Sequence, residues 1–150
     1  MIQKVTPLAI LATNQMKKKK QFVSVAIYLR GDELSPDHVS KLLGVQPSRC
    51  QKKGEFKLGS TRFIAKIGVW TLGARSNSRS ISELVEELFQ KIGNPPVRLD
   101  GIEGVEDAYL DIFVPLSQRG KMDETLEFAL TKSQIAKLGQ LGLSACFTVT

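Results

Sequence analysis

The chain has 150 residues, 42% apolar and 24% charged, which fits one globular domain and argues against a fibrous or wholly disordered chain. Its formal net charge of +6 is uneven: residues 1–75 carry 14 basic against 4 acidic groups, a net of +10, and residues 76–150 carry 7 against 11, a net of −4. Two cysteines and one histidine, with no CxxC or HxxxH spacing, exclude a disulfide scaffold and a zinc site built from Cys and His.

Residues 1–20 hold five lysines and no acid; without them the chain has 16 basic and 15 acidic groups, a net of +1. The apolar run Val5 to Ala12 is broken by Pro7 and falls far short of the ~20 residues a membrane helix needs. The lysines of 17–20 follow it rather than precede it, which makes a poor signal peptide. Met16 followed by Lys17, Lys18, Lys19 and Lys20 reads as a start running straight into a strand. We therefore expect a disordered or mis-annotated basic leader over 1–20 and a single α+β domain over 21–150. A lipid- or RNA-binding arm is the functional alternative for the leader.

Phe22 to Leu29 alternates, with Val23, Val25, Ile27 and Leu29 on one face and Phe22, Ser24, Ala26 and Tyr28 on the other, which predicts a strand. Ser35-Pro36-Asp37 starts a helix: a serine cap, a proline at the first position and an acid at the positive end of the dipole. Val39, Leu42 and Leu43 are its apolar face and Gly44 its stop. Residues 46–61 are polar and basic and predict a long loop, with a short strand in it as the alternative. Residues 62–67 alternate as a short strand, and Val69 to Ala74 as another, with Trp70 in it. Ser80 and Glu83 form a capping box for a helix through Ile92, stopped by Gly93-Asn94-Pro95-Pro96.

Asp107 to Leu116 reads as a strand with Ala108, Leu110, Ile112, Val114 and Leu116 on one face. Thr125 to Leu130 reads as its antiparallel return. Thr131 and Gln134 form a second capping box for a helix over 132–141, closed by Gly142. Leu143, Ala145, Phe147 and Val149 alternate through a last strand. The predicted architecture is α+β: a mainly antiparallel sheet of about five or six strands with three helices, 36–43, 81–92 and 132–141, packed chiefly on one face. The order of elements is compatible with two ferredoxin-like halves.

Several groups are candidates for function. Arg49, Lys52, Lys53 and Arg62, with Lys57, could converge on an anion or an acidic partner, although the loop has no P-loop pattern and no interleaved aromatics. Trp70 is either a core anchor or, with Arg62, the lining of a groove. His38 sits in a first helical turn with no nucleophile at hand and reads as exposed surface. Cys50, near Arg49 and Lys52, has a setting that favours the thiolate, but no base accompanies it. Cys146 shares a strand face with Ser144 and Thr148 and reads as a small packed side chain. Asp107 and Asp111 share a face with Tyr109, too far apart for a glycosidase pair and adequately explained as solvated.

The residues also carry a resemblance. A strand into Gly31-Asp32, Leu34-Ser35-Pro36, a helix ending Leu42-Leu43-Gly44-Val45, Pro47-Ser48, Lys53-Gly54 and Gly68-Val69-Trp70-Thr71-Leu72 together resemble the bacterial domain of unknown function 4279, over roughly residues 21–150. The helix 81–92 and the closing Leu141-Gly142-Leu143-Ser144 fit the same family. The resemblance implies a small, soluble protein with no assigned catalytic residues, and by analogy an immunity-like or partner-binding role.

The expectation that results is a cytoplasmic, non-enzymatic protein-binding module with no cofactor, no metal and no membrane partner. Its binding residues are expected among Arg49, Lys52, Lys53, Arg62 and Trp70. The alternatives are a nucleic-acid-binding protein using the lysine tract and basic loop, and a small-ligand protein or enzyme with a cleft near Trp70.

Overall fold

The computed structural model describes residues 22–57, 59–115 and 128–149. The leader of residues 1–20 lies outside them, as does the first half of the expected strand over 125–130. The described elements run β1 (Val23–Gly31), α1 (Pro36–Leu43), β2 (Arg49–Gln51), β3 (Gly68–Ser76), α2 (Ile81–Ile92), a 3₁₀ turn (Leu99–Gly101), β4 (Asp107–Val114), α3 (Lys132–Leu141) and β5 (Ser144–Val149). This is the expected α+β class, with three helices and one five-stranded, mostly antiparallel sheet in the order β2-β3-β1-β4-β5.

Local chemistry sets the helix ends. Ser35, Ser80 and Thr131 each accept a backbone N–H bond three residues on, and at Ser80 and Thr131 the third helical residue, Glu83 or Gln134, bonds back to the cap amide. Gly44 and Gly142 end α1 and α3 in the left-handed conformation, which glycine adopts without a Cβ penalty. The longest helix, α2, buries Ile81, Leu84, Val85, Leu88, Phe89 and Ile92. That spacing lays one continuous stripe onto β1 and β3.

The helices cover one side of the sheet. Val25, Ile27 and Leu29 of β1, Trp70 and Leu72 of β3, and Ala108, Leu110, Ile112 and Val114 of β4 point into that layer and are buried. A fully buried Leu or Ile contributes about 1.5–3 kcal/mol, so this shared layer is the main stabilising feature. No helix among the described residues is long and apolar enough to cross a membrane.

Three expectations change. Residues 62–67 form no strand; Ile64 makes one isolated bridge to Phe56, and Phe63 and Ile64 stay exposed at the tip of a loop. The segment exchanges backbone bonds with residues 54–57, but of its residues only Ala65 is buried. Residues 128–130 are not a strand either. The position beside β4 is taken instead by β5, paired parallel, because α3 carries the chain back to the start of the sheet. For the same reason there is one ferredoxin-like unit, not two. Elements β1 to β4 form a split βαβ arrangement with antiparallel order β4-β1-β3-β2, and α3 and β5 extend it by a single crossover.

Gln134 ties α3 to α2. It is 3% exposed, and its amide donates to the Ser82 carbonyl at 2.8 Å while its oxygen accepts from Ser82 Oγ at 3.1 Å and from the Thr131 amide at 3.0 Å. Replacing it by leucine removes all of these bonds, which link α3 to the half-buried Ser82 of α2 and hold the cap amide of Thr131. The expected cost is about 2 kcal/mol, read as a lower urea midpoint at unchanged slope. A loss below roughly 0.5 kcal/mol would mean that the bridge is dispensable.

Candidate functional site

The face of the sheet opposite the helices has no element over it among the described residues. Its composition follows from strand register, because residues opposed across neighbouring strands project to the same side. One row crosses all five strands: Arg49, Thr71, Tyr28, Tyr109 and Ser144. At about 4.8 Å between strands the row is roughly 19 Å long. On one side of it lie Gln51, Val69, Arg30 and Asp107, and on the other Gly73, Ala26, Asp111 and Cys146.

Tyr28 and Tyr109 stand at the middle of this face. Their rings stack with centroids 5.2 Å apart and planes 11° from parallel. Beside the stack the sheet dips over β3, where Thr71 is nearly buried and Val69 half-buried. The depression has a volume of about 290 Å³ and is bounded by Tyr28, Arg30, Arg49 and Gln51. It thus combines an aromatic wall with two guanidinium groups. Neither arginine is in an ion pair among the described residues. Partial burial pushes the Tyr109 hydroxyl above its ordinary value, and the nearby Arg30 charge opposes part of that rise. Tyr109 therefore stays a neutral donor through neutral pH.

The charge on the face is two-sided. Arg30, Arg49 and Arg75 come from β1, β2 and β3, and Arg75 lies over the Phe22 ring at 4.9 Å. Asp107 and Asp111 come from β4, and Asp111 accepts a bond from Thr148 Oγ1 at 3.2 Å. A second depression, about 320 Å³, lies between α2 and α3. Two of its polar side chains are already engaged: Gln134 bridges the helices, and Lys137 donates to the Gly93 carbonyl and to Asn94 at 2.8 Å each.

Of the binding residues expected from sequence, Arg49 alone lines the open-face depression, and Cys50, weighed as a thiol candidate, lines it beside Arg49. Lys52 and Lys53 are exposed in the turn after β2, and Lys53 pairs with Asp32 at 3.5 Å. Arg62 is exposed in the loop beyond them. Trp70 is 0% exposed and donates its indole N–H to Ser40 Oγ at 3.0 Å. It is a core anchor, so the groove expected between Trp70 and Arg62, and the cleft near Trp70, are not where the structure offers a surface. Trp70 projects to the helix side of β3, whereas Val69 and Thr71 project to the open side. His38 is exposed, as expected. Cys146 is exposed rather than packed, because β5 is an edge. Cys50 is exposed on the opposite edge strand.

Sequence reasoning missed Tyr28, Arg30, Thr71 and Tyr109 as a group. Each alternation was visible, but the pairing of Tyr28 with Tyr109 depends on strand order. Among the described residues no three His, Cys, Asp or Glu side chains lie close enough together to hold a metal ion.

A family model described as a domain of unknown function (DUF4279) matches residues 20–149. No curated protein and no solved structure gave a match.

Proposed function

This chain belongs to the DUF4279 family, and from that premise we propose that it is a protein-binding module which docks its partner on the uncovered sheet face. The row Arg49–Thr71–Tyr28–Tyr109–Ser144 carries the reading. Tyrosine and arginine dominate the energetic centres of protein interfaces, and here both lie on a rigid sheet rather than on loops. Arg30 and Arg49 suit an acidic segment of the partner laid over β3, and Asp107 and Asp111 suit a basic group over β4. A polyanion would gain at the arginines and be repelled along β4, so the two-sided charge favours protein over nucleic acid. The exposed thiols of Cys50 and Cys146 suit the cytoplasm, where they stay reduced.

The test is a photo-crosslinking amino acid placed at Tyr109 of the full chain in native cells. The expected result is one discrete protein adduct, reduced by at least about tenfold when Arg49→Glu is added. The same probe at Gln90, exposed on α2, serves as the control. An adduct digested by nuclease, or equal labelling from both positions, would overturn the reading.

A further inference from the structure

We infer that the open-face depression is a phosphoester pocket, in which Arg30 and Arg49 hold one phosphomonoester group over Thr71 and the carbon that carries it lies against the Tyr28 ring. For its source the inference rests on the docking reading: the ester is borne by a phosphorylated residue of the protein partner.

Strand register builds the pocket. β3 supplies the floor through Val69 and Thr71, and its two neighbours supply taller walls. Arg30 of β1 stands opposite Val69, and Arg49 of β2 opposite Thr71, so one guanidinium enters from each wall at diagonal corners of the same space. Gln51 pins the β2 wall by donating its amide to the Ile67 carbonyl at 2.9 Å. Tyr28 stacks one ring face on Tyr109 across β4, which leaves its other face turned to β3.

Charge and direction together name the ligand. The residues that line the depression include two arginines and no acid. Asp107 stands opposite Arg30 on β4, yet it does not line the depression and pairs with neither arginine among the described residues. Two positive charges match a phosphomonoester, which carries about −1.5 to −2 at neutral pH, better than a lone carboxylate or a phosphodiester. Donors also reach the space from both walls and from the Thr71 hydroxyl at the floor. A carboxylate offers two oxygens in one plane, whereas a phosphoester spreads three terminal oxygens in a tetrahedron and accepts from all three directions, with each guanidinium fork on an edge of it. The chain's own leader is no substitute, because residues 1–20 carry five lysines and no acid. β1 begins and β4 ends beside one another, at the opposite end of the sheet from Arg30.

The experiment titrates the full chain with phenyl phosphate by calorimetry at constant ionic strength. We expect saturable binding at one site, at least about fivefold tighter than phenyl sulfate, which has the same shape and less charge, and than isophthalate, which has two carboxylates. Arg30→Gln and, separately, Arg49→Gln are each expected to weaken it by about tenfold or more with unchanged circular dichroism. Lys41→Gln, exposed on α1, is expected to change it by less than about twofold. The source is read from the Tyr109 crosslink repeated in native lysate: loss of the protein adduct after phosphatase treatment assigns the ester to the partner. An adduct that survives phosphatase while phenyl phosphate still binds assigns the pocket to a free phosphorylated small molecule. No saturable binding, isophthalate binding as tightly as phenyl phosphate, or indifference to both arginine variants would overturn the inference. None of these three results touches the adduct that decides the docking reading, so the two fail separately.

Discussion

Trp70→Ala is expected to lower the unfolding free energy by about 3–5 kcal/mol, a large share of the ~5–15 kcal/mol that holds a typical domain together. Trp70 is fully enclosed between the sheet and the helices and is among the largest of the fully buried side chains. Truncation removes its transfer energy, leaves a cavity that close-packed neighbours fill only partly, and strips Ser40 Oγ of its indole donor. Trp70→Phe keeps most of the volume and loses the hydrogen bond, so about 1–2 kcal/mol is expected. Urea unfolding followed by far-ultraviolet circular dichroism measures both. A fall below about 1 kcal/mol for the alanine variant would contradict the core assignment and return Trp70 to the surface.

Gly31→Ala is the second large effect, with an expected loss of about 3 kcal/mol, or roughly 6–12 °C in the melting midpoint. The cause is room, not an unusual backbone angle. A Cβ at Gly31 would overlap the Gly104 carbonyl oxygen and lie 3.2 Å from the Glu106 amide. Those neighbours are backbone, and the Glu106 amide is itself bonded to the Arg30 carbonyl at 2.7 Å. The loop before β4 would have to move, carrying with it the end of β1 that sets Arg30 opposite Asp107. Gly101→Ala is the control, since an added Cβ there meets nothing within 4 Å, and a change within about 0.5 kcal/mol is expected. Equal melting midpoints for the two variants would mean that β1 and the Gly104 loop are not in close approach.

The parts of the fold legible in the sequence were those decided within a few residues. All three helices begin and end where the caps and glycines place them, because an N-cap oxygen or a left-handed glycine acts on the adjacent turn. The buried faces of β1 and β4 were legible for a similar reason, since an alternating strand declares which side is apolar. Alternation failed at Phe63 and Ile64, where the paired segment 54–57 is itself exposed and makes no buried face.

The candidate site was much less legible. Arg49 drew notice through its charge, while Tyr28 and Tyr109 lie 81 positions apart and meet only because β4 pairs with β1. Trp70 drew notice as a single large aromatic, yet the side of β3 it occupies is fixed by its opposition to Leu29. Gln134 was visible as half of a capping box, and its bridge to Ser82 across 52 residues was not.

By itself, then, the sequence determined the helices, the apolar face of each long strand, and an α+β domain of the DUF4279 family. The tertiary structure alone decided the order β2-β3-β1-β4-β5, the parallel docking of β5, and the uncovered face on which Arg49, Tyr28 and Tyr109 share a row. The physical reason is range. Caps and periodicity act over one turn or one pleat, whereas strand neighbours are chosen by the global burial of one common apolar layer, to which every element contributes at once.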